Sequence, residues 1–221
     1  MIKTEDLGVG NLKIYQNDEL YTFTSDSVLL ARFAKAKKGD EVADFCSGSG
    51  IVGFYFYGLN EGLIKSVTLF EMQQPLYSLA KKSIEDNELA DKFTAINLSI
   101  QQMKTEWAGK FSLITCNPPY MPVGSFVSEK EHIAVCRTEI ALPLEDLIKE
   151  IATSLKFGGR VCMVHRADRL IDVTATMRKY KIEPKRLQFV AGGENKEPYL
   201  FLIEGVLGGK SGLKVLKTIT N

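Results

Sequence analysis

Residues 41–53 read EVADFCSGSGIVG, and this stretch indicates the fold more clearly than any other part of the chain. The mostly apolar residues 41–45 predict a buried strand, a turn rich in serine and glycine follows, and the apolar run IVGFYFYGL (51–59) predicts a helix. The turn matches the pattern G-x-G-x-x-G at Gly48, Gly50 and Gly53. An acid, Glu71, lies 21 residues after the second of these glycines. This order of elements is typical of α/β folds that bind nucleotides.

Short apolar runs alternate with helical patterns from residue 41 onward. The strand candidates are EVADF (41–45), SVTLFE (66–71), FTAINL (93–98), FSLITC (111–116), RVCMVH (160–165), LQFV (187–190) and YLFLIEGVL (199–207). The helix candidates are residues 51–59, 75–89, 144–155 and 168–180. Strands separated by helices predict a parallel sheet, and the last two strands predict an antiparallel pair at one edge. We expect an α/β fold with a seven-stranded, mostly parallel sheet.

The first 40 residues predict a small extension before this sheet. The segment LKIYQNDELYTF (12–23) alternates apolar and polar residues around Asn17-Asp18, which predicts a hairpin. The segment DSVLLARFA (26–34) predicts a short helix capped by Ser25 or Asp26. We therefore expect two parts, an extension over residues 1–40 and a domain over residues 41–221.

Composition excludes several classes of protein. With 45% hydrophobic residues in 221, the chain can bury one good core, and it has no apolar run of the roughly 18 residues that cross a bilayer. The segment MIKTEDLGVGNLK has no hydrophobic region of a signal peptide, so we expect a cytoplasmic protein that does not contact a membrane. The four cysteines show no C-x-x-C spacing and the two histidines lie far apart, so we expect no metal site.

The net charge of +1 hides an asymmetry along the chain. Residues 1–155 hold 15 Lys and Arg against 21 Asp and Glu, whereas residues 156–221 hold 13 against 6. This basic third suits a polyanionic partner or an ordinary solvated face. Within it, His165, Arg166 and Arg169 follow the fifth strand candidate, where they could meet phosphates or form local ion pairs. Three lysines, Lys210, Lys214 and Lys217, lie in a tail for which no element is predicted.

Asp44 indicates which ligand the glycine turn holds. A carboxylate at the mouth of the turn repels a diphosphate, whereas it suits S-adenosylmethionine, which carries a sulfonium and an ammonium group and no phosphate. Read from Asp44, the segment D-x-C-x-G-x-G resembles motif I of the Rossmann-like class I methyltransferases, with Cys46 at the motif's first glycine. The resemblance implies S-adenosylmethionine as the cofactor, with its amino-acid end near Asp44, Cys46, Gly48 and Gly50.

Two further positions are candidates for the rest of this cofactor. The carboxylate of Glu71 offers acceptors for both ribose hydroxyls, although an acid at this place can also cap the next helix. The resembled family commonly places an acid after its third strand against the adenine amino group. This chain has Asn97 and Ser99 there instead, and either side chain can make the contact.

The stretch ITCNPPYM (114–121) supplies the candidate catalytic residues. Two prolines fix two φ angles after a buried strand, which suits a rigid clamp or a simple turn. The Asn117 side-chain oxygen and the Pro118 carbonyl can accept both hydrogens of a planar amino group, and Tyr120 can stack on its ring. Asn-Pro-Pro-Tyr resembles the hallmark of methyltransferases that act on adenine N6, cytosine N4 or protein glutamine. The resemblance implies catalytic roles for Asn117, Pro118, Pro119 and Tyr120, and a cofactor contact for Asn117.

A narrower resemblance covers nearly the whole chain. The stretches that carry it are YTFTS before DSVLLARFA, DFCSGSGIVG, ITCNPPYM, RTEIALPLEDLI, and VHRADRLIDV followed by IEPKRLQFV. Together they are similar to the bacterial tRNA1(Val) (adenine-N6)-methyltransferase family. This resemblance implies methylation of the adenine just 3′ of the anticodon in a valine tRNA, with tRNA as the partner. It makes Arg137, His165, Arg166 and Arg169 candidate contacts for the RNA substrate.

Three other functions remain open at this point. A protein glutamine methyltransferase shares the clamp, although its family usually carries a separate N-terminal helical domain. An NAD-dependent oxidoreductase would use the glycine turn and Glu71, but it has no reason to keep Asp44 and Asn-Pro-Pro-Tyr. A non-catalytic RNA-binding module would bind the cofactor without transferring its methyl group.

Overall fold

The computed structural model describes residues 1–20, 24–119 and 142–221. Within these ranges the helices are α1 (Ser25–Phe33), α2 (Ile51–Asn60), α3 (Gln74–Asp86), α4 (Leu144–Ser154) and α5 (Leu170–Lys179). The strands before the gap at residue 120 are β1 (Ile2–Asp6), β2 (Lys13–Asn17), β3 (Asp40–Phe45), β4 (Ile64–Glu71), β5 (Phe93–Asn97) and β6 (Phe111–Cys116). Those after the gap are β7 (Leu155–Arg166), β8 (Ile182–Ala191), β9 (Pro198–Leu207), β10 (Lys214–Val215) and β11 (Ile219–Thr220).

The central sheet has the strand order β10-β8-β9-β7-β6-β3-β4-β5, and β11 also pairs with β8. Strands β3 to β7 run parallel, and β9 lies antiparallel between β7 and β8. The predicted α/β class, the mostly parallel sheet of seven main strands and its antiparallel pair near one edge are therefore confirmed. The two-residue strands β10 and β11 extend that edge, and they were not predicted because they do not lie in an apolar run.

Helices cover both faces of the sheet. Successive residues of β7 point to opposite faces, because Cys162 and Val164 belong to a core shared with α1 and α2, whereas Val161 and Met163 belong to a core shared with α4 and α5. The aromatic run of α2, residues 54–57, is buried in the first of these cores. These rings are therefore core groups.

Strand β2 forms the first half of the hairpin predicted around Asn17-Asp18, and its partner among the described residues is β1. Strand β1 pairs antiparallel with β2, from Ile2 opposite Asn17 to Asp6 opposite Lys13. The connecting turn has three positive φ angles, at Gly8, Gly10 and Asn11. All five residues of β1 are exposed, so its sequence IKTED shows no alternation that could reveal a strand. Residues 21–23 of the predicted hairpin lie outside the described residues.

The predicted cap of α1 is wrong. The N-cap residue is Thr24, and its side chain makes no capping hydrogen bond. Ser25 and Asp26 belong to the first turn of the helix, where the acid suits the positive end of the helix dipole. The helix begins one residue earlier than the pattern of Ser25 and Asp26 indicated.

The C-terminal segment is an ordered part of the sheet edge. The backbone N–H of Leu216 donates to the carbonyl of Leu187 at 2.7 Å, and that of Asn221 donates to Ala191 at 3.0 Å. The Asn221 side chain then reaches α1, where its Nδ2 donates to Ser25 Oγ at 2.6 Å. The segment that carries Lys210, Lys214 and Lys217 is thus tied along β8 up to the first turn of α1.

A buried ion pair joins the amino ends of the strands. Arg160 Nη2 of β7 lies 2.6 Å from Asp40 Oδ2 of β3, and both side chains are buried. Arg160 Nη1 also donates to the carbonyl of Lys35. Asp40 accepts two further hydrogen bonds, from the Lys37 N–H at 2.6 Å and from Ser112 Oγ at 2.7 Å. Both charges therefore have partners where water does not reach them.

We predict that Arg160→Met lowers the free energy of unfolding by about 3–5 kcal/mol, because it leaves the buried carboxylate of Asp40 without its cation. Denaturant unfolding followed by circular dichroism measures this change. The matched control is Lys65→Ala, which removes an exposed cation 2.8 Å from Glu41 and should cost about 1 kcal/mol or less. Equal losses in the two variants would contradict a special role for the buried pair.

Candidate active site

The candidate residues gather at the carboxyl edge of the sheet. Phe45, at the end of β3, pairs with Phe70 of β4 on one side and with Cys116 of β6 on the other. The glycine turn that follows β3, the acid Glu71 and the amide Asn117 therefore leave three neighbouring strands at the same level. In open parallel sheets this edge is where ligands bind.

The glycine turn after β3 has a closely packed backbone. Its Ser47 N–H donates to the carbonyl of Phe70 at 3.0 Å, which ties the turn to β4. Gly50 has a φ of 93° and is the N-cap of α2, and a Cβ there would lie 2.8 Å from the ring of Phe54. Cys46 keeps a left-handed φ of 58° although it is not a glycine. The position that departs from the methyltransferase motif thus retains the backbone conformation that a glycine adopts easily.

Asp44 lies beneath the turn and not at its mouth. Its side chain is fully buried, and both carboxylate oxygens accept hydrogen bonds from the chain. Oδ2 accepts from the Gly53 N–H at 3.1 Å, and Oδ1 accepts from Thr115 Oγ1 at 2.8 Å. Burial raises the pKa of Asp44 to about 7, and the two hydrogen bonds oppose that shift. Asp44 therefore has a structural role in the site, because it joins the first turn of α2 to β6.

Glu71 joins the glycine turn to the start of α3. Its Oε2 accepts from the Gly48 N–H at 2.9 Å, and its Oε1 accepts from the N–H of Gln73, the N-cap residue of α3, at 2.8 Å. The carboxylate is buried, and burial raises its pKa. The backbone N–H of Met72 is a third partner of this carboxylate, which has about four acceptor positions in all. Glu71 thus binds the N-cap residue of α3, as the helix-capping alternative predicts. This role does not exclude a hydrogen bond from a ligand hydroxyl to the same carboxylate.

The two candidates for the adenine contact differ in their surroundings. Asn97 Nδ2 donates to the carbonyls of Glu71 at 2.8 Å and of Met72 at 3.0 Å, so this amide supports the end of β4. Ser99 is half-buried and directly precedes a single helical turn over residues 100–102. Of the two side chains, that of Ser99 has no such structural role among the hydrogen bonds of the described residues.

Among the residues that the structure describes, the Asn117 side chain has one hydrogen-bond partner. Its Nδ2 donates to Ser27 Oγ of α1 at 2.9 Å, and Ser27 is buried whereas Asn117 is half-buried. Since the two ends of a carboxamide point in opposite directions, this bond turns the Asn117 oxygen away from α1. Pro118 is buried and Pro119 is half-buried. Tyr120, the fourth residue of the motif, lies outside the described residues.

The candidate RNA contacts are less basic than their sequence indicates. His165 is buried, and its pKa is lowered to about 4 by burial and by the nearby Arg169, so it is neutral at pH 7 and is not placed to meet a phosphate. Arg166 pairs with Asp168 at 2.6 Å, and Arg169 pairs with Asp172 at 2.7 Å. The ion-pair alternative is therefore present for both arginines. Arg137 lies outside the described residues.

Arg166 also lines a cleft of about 330 Å³, together with Asp26 of α1 and Tyr199 of β9. In the part of the chain that the structure describes, no group of three or more His, Cys, Asp or Glu side chains could hold a metal ion. No helix among the described residues is both long and apolar enough to cross a membrane.

Sequence reasoning missed two residues that hold the site. Thr115 lies in the otherwise mostly apolar run FSLITC. A polar side chain two residues before Asn117 is the one sequence feature that could have indicated its role. Ser27 carries no signal in the sequence, because it lies 90 positions from the amide that it binds. A serine in the first turn of a helix commonly bonds to the backbone of its own helix, so its position does not predict a distant partner.

The raised pKa of Asp44 predicts a dependence of stability on pH. Between about pH 4 and about pH 7 the folded state keeps a proton that the unfolded state has lost, so the free energy of unfolding falls as pH rises. In Asp44→Asn, the amide oxygen can accept from Gly53 and the amide nitrogen can donate to Thr115. We therefore expect the variant to gain stability relative to the wild type, by at most about 1.4 kcal/mol per pH unit across this range.

Denaturant unfolding of both proteins at pH 4.5 to 8 measures the difference, which should level off above about pH 7. Comparing the two proteins cancels the titration of His165, which both retain. A difference that does not change with pH would contradict a shifted pKa at Asp44.

Several curated proteins are similar to this chain over most of its length. A protein of Flavobacteriaceae bacterium (strain 3519-10) named tRNA1(Val) (adenine(37)-N6)-methyltransferase is 25% identical over 86% of this chain and 79% of its own length. A protein of Shewanella sp. (strain MR-4) with the same name is 24% identical, over 78% and 72%. A release factor glutamine methyltransferase of Clostridium botulinum is also 24% identical, over 66% and 54%.

Solved structures show the same fold at low identity. A predicted O-methyltransferase of Agrobacterium tumefaciens has a TM-score of 0.69 at 17% identity and covers 88% of this chain and 86% of its own. The tRNA m1G37 methyltransferase of M. jannaschii has a TM-score of 0.65 at 13% identity, over 95% and 55%. P. horikoshii TYW2 in complex with MeSAdo has a TM-score of 0.64 at 13% identity, over 95% and 72%. The fold is therefore that of the Rossmann-like class I methyltransferases.

The family described as methyltransferase small domain matches residues 22–181, which include α1, the glycine turn, Glu71 and Asn117. The matched range covers well over half of the 221 residues. The chain belongs to the methyltransferase small domain family and is an S-adenosylmethionine-dependent methyltransferase.

Proposed function

We propose that this methyltransferase modifies N6 of an adenine in the anticodon loop of a tRNA, namely the base 3′ of the anticodon in a valine tRNA. The observation that carries the proposal is the fixed carboxamide of Asn117, whose nitrogen is bound by Ser27 at 2.9 Å. Its oxygen makes no hydrogen bond to the described residues, so it can accept from a substrate amino group at the edge of the sheet where the glycine turn lies. The names of the relatives from Flavobacteriaceae and Shewanella support the choice of acceptor.

The residues of the glycine turn and of β4 fit S-adenosylmethionine. Glu71 offers its carboxylate to the ribose hydroxyls, which would share its oxygens with the backbone N–H groups already bound there. A Cβ added at Gly48 would meet nothing within 4 Å, so the turn leaves open space at this position. Ser47 in the same turn is buried, and its hydroxyl has no hydrogen-bond partner among the described residues. Buried polar groups usually have hydrogen-bond partners, and a polar ligand bound against the turn would supply one for the Ser47 hydroxyl. When bound, the cofactor supplies the electrophilic methyl group.

The role of the Asn-Pro-Pro segment is to align the acceptor nitrogen. The Asn117 oxygen and the Pro118 carbonyl accept the two hydrogens of the amino group, and the prolines hold both acceptors in place. Withdrawing the hydrogens into these two bonds favours a nitrogen whose lone pair points out of the ring plane. Fixed dipoles of this kind act most strongly where water is excluded, and alignment alone accounts for large rate factors.

An RNA substrate is consistent with the surface charges. The arginines of the basic third are largely committed to acids, for example Arg160 to Asp40 and Arg186 to Glu204. The lysines of its C-terminal segment remain exposed, and these are Lys210, Lys214 and Lys217. Exposed lysines on an ordered edge suit phosphates without reading a sequence. An adenine in an anticodon loop is poorly paired, so exposing it to the clamp costs little.

Protein glutamine is the alternative acceptor. A glutamine side chain ends in a planar amide whose two hydrogens fit the same two acceptors, and the similarity to a release factor glutamine methyltransferase supports this alternative. That similarity covers only 54% of the relative's length, whereas the similarity to the tRNA methyltransferases covers 72–79%. We therefore place tRNA first.

Methyl transfer from labelled S-adenosylmethionine to unmodified bulk tRNA, with release-factor protein as the parallel acceptor, tests the proposal. We expect N6-methyladenosine in digested tRNA, identified by mass. Asn117→Ala should abolish this transfer while leaving the dissociation constant of the cofactor within about 2-fold, because the clamp acts on the acceptor. Label in the protein with tRNA untouched would move the enzyme to the glutamine acceptor. Turnover retained by Asn117→Ala would refute the clamp.

Binding of the cofactor tests the assignment of Glu71. We expect Glu71→Ala to weaken S-adenosylmethionine by about 10- to 100-fold, since two hydroxyl hydrogen bonds to a carboxylate are lost. Isothermal titration calorimetry measures the dissociation constant. Glu85→Ala removes an exposed carboxylate of α3 and serves as the control, with no change expected. An unchanged constant in Glu71→Ala would discredit the ribose contact.

A further inference from the structure

We infer that Ser27 is a positioning residue for methyl transfer, which fixes the orientation of the Asn117 carboxamide. This inference rests on the proposed function, because it concerns the residue that the proposed clamp depends on. It adds to the site a side chain from α1, far from the glycine turn and from Asn-Pro-Pro-Tyr in sequence.

A carboxamide needs an external contact to define its two ends. The nitrogen and oxygen of Asn117 have nearly the same size, so packing alone does not distinguish one orientation from the other. Only the orientation with the oxygen towards the substrate can accept from an amino group. Ser27 Oγ accepts from Asn117 Nδ2 at 2.9 Å, and this bond ties the carboxamide to α1 in that orientation. Because Ser27 is 2% exposed, water does not compete for its hydroxyl.

The helix that carries Ser27 is held at both ends. At its first turn, Asn221 Nδ2 donates to Ser25 Oγ at 2.6 Å. At its last turn, Arg186 Nη2 of β8 donates to the carbonyl of Phe33 at 2.9 Å, with the guanidinium 4.4 Å from the Phe33 ring. Between the two ends, Leu30 is fully buried against the sheet. Such a helix keeps Ser27 Oγ in one place relative to β6, from which Asn117 extends.

The distinctive consequence is a separation of turnover from cofactor binding. Ser27→Ala leaves the amide of Asn117 free to rotate and to expose its nitrogen to the substrate. We expect its kcat to fall by about 10- to 100-fold, because misalignment of a reacting group has effects of this size. The KM for S-adenosylmethionine should stay within about 2-fold, since Ser27 is proposed to act through the acceptor clamp. Ser27→Thr keeps the hydroxyl and should recover most of the lost kcat.

Ser83→Ala is the matched control. Ser83 is also a fully buried serine on a helix, and its Oγ accepts the N–H of Tyr15 at 2.9 Å, far from the sheet edge that holds the clamp. Its Oγ also donates to the carbonyl of Leu79 at 2.9 Å. Ser83→Ala therefore removes at least as much hydrogen bonding as Ser27→Ala and should lower stability without lowering kcat. A loss of kcat in Ser83→Ala equal to that in Ser27→Ala would overturn the inference, because it would reduce the effect to general destabilisation.

A second readout needs no substrate. The side-chain amide of Asn117 is assigned in a ¹H–¹⁵N spectrum as the pair lost in Asn117→Asp, and its exchange with solvent is measured in the wild type, in Ser27→Ala and in Ser83→Ala. We expect about 10-fold faster exchange in Ser27→Ala alone, as the loss of one hydrogen bond predicts. Unchanged exchange in Ser27→Ala, or full kcat in this variant, would overturn the inference.

These readouts separate the inference from the proposed function. A wild-type protein that methylates neither tRNA nor release factor would refute the proposed function, and the exchange of the Asn117 amide would still decide whether Ser27 orients it. A wild-type protein that methylates tRNA, with an equally active Ser27→Ala, would keep the function and refute the role of Ser27.

Discussion

The buried carboxylate of Asp44 sets the geometry of the whole site. One oxygen accepts from the Gly53 N–H in the first turn of α2, and the other accepts from Thr115 Oγ1 in β6. Thr115 lies two residues before Asn117, so a single side chain fixes the glycine turn relative to the segment proposed to hold the acceptor. A carboxylate without water is costly, which its raised pKa reflects. The geometry that it maintains is therefore obtained at the expense of stability near neutral pH.

The region before the sheet takes part in the site. From sequence, residues 1–40 predicted an extension, and the boundary at residue 40 remains a prediction. The family match nevertheless begins at residue 22, and α1 supplies the partner of Asn117. The proposed clamp thus combines a residue that follows β6 with a residue of α1, and no short sequence motif contains both. In the proposed clamp, the orientation of Asn117 depends on the packing of α1, which is bound by Asn221 at its first turn and by Arg186 at its last turn.

The sequence predicted the main strands well because they are buried on both faces. Strand β6 begins and ends at the predicted residues 111 and 116, because its apolar run has the same bounds as the strand. Strand β1 was missed because all its residues are exposed, and β7 begins five residues before the prediction because Lys156–Gly158 are exposed. Within the candidate site, the motifs located Glu71 and Asn117. They could not show that Asp44 lies beneath the turn, because its depth follows from how α2 packs on the sheet.

The net positive charge of residues 156–221 overstates the positive surface available to RNA, because several of its arginines pair with acids. In the basic third, Arg160 and Arg186 are buried with acids, while Arg166 and Arg169 face acids from their own segment. Such pairs contribute little net field to a phosphate at a distance. The lysines of the C-terminal segment are exposed, and that segment reaches α1 beside the proposed clamp. For the proposed RNA substrate, we therefore expect phosphate contacts from this ordered edge and selection of the base by the proposed clamp.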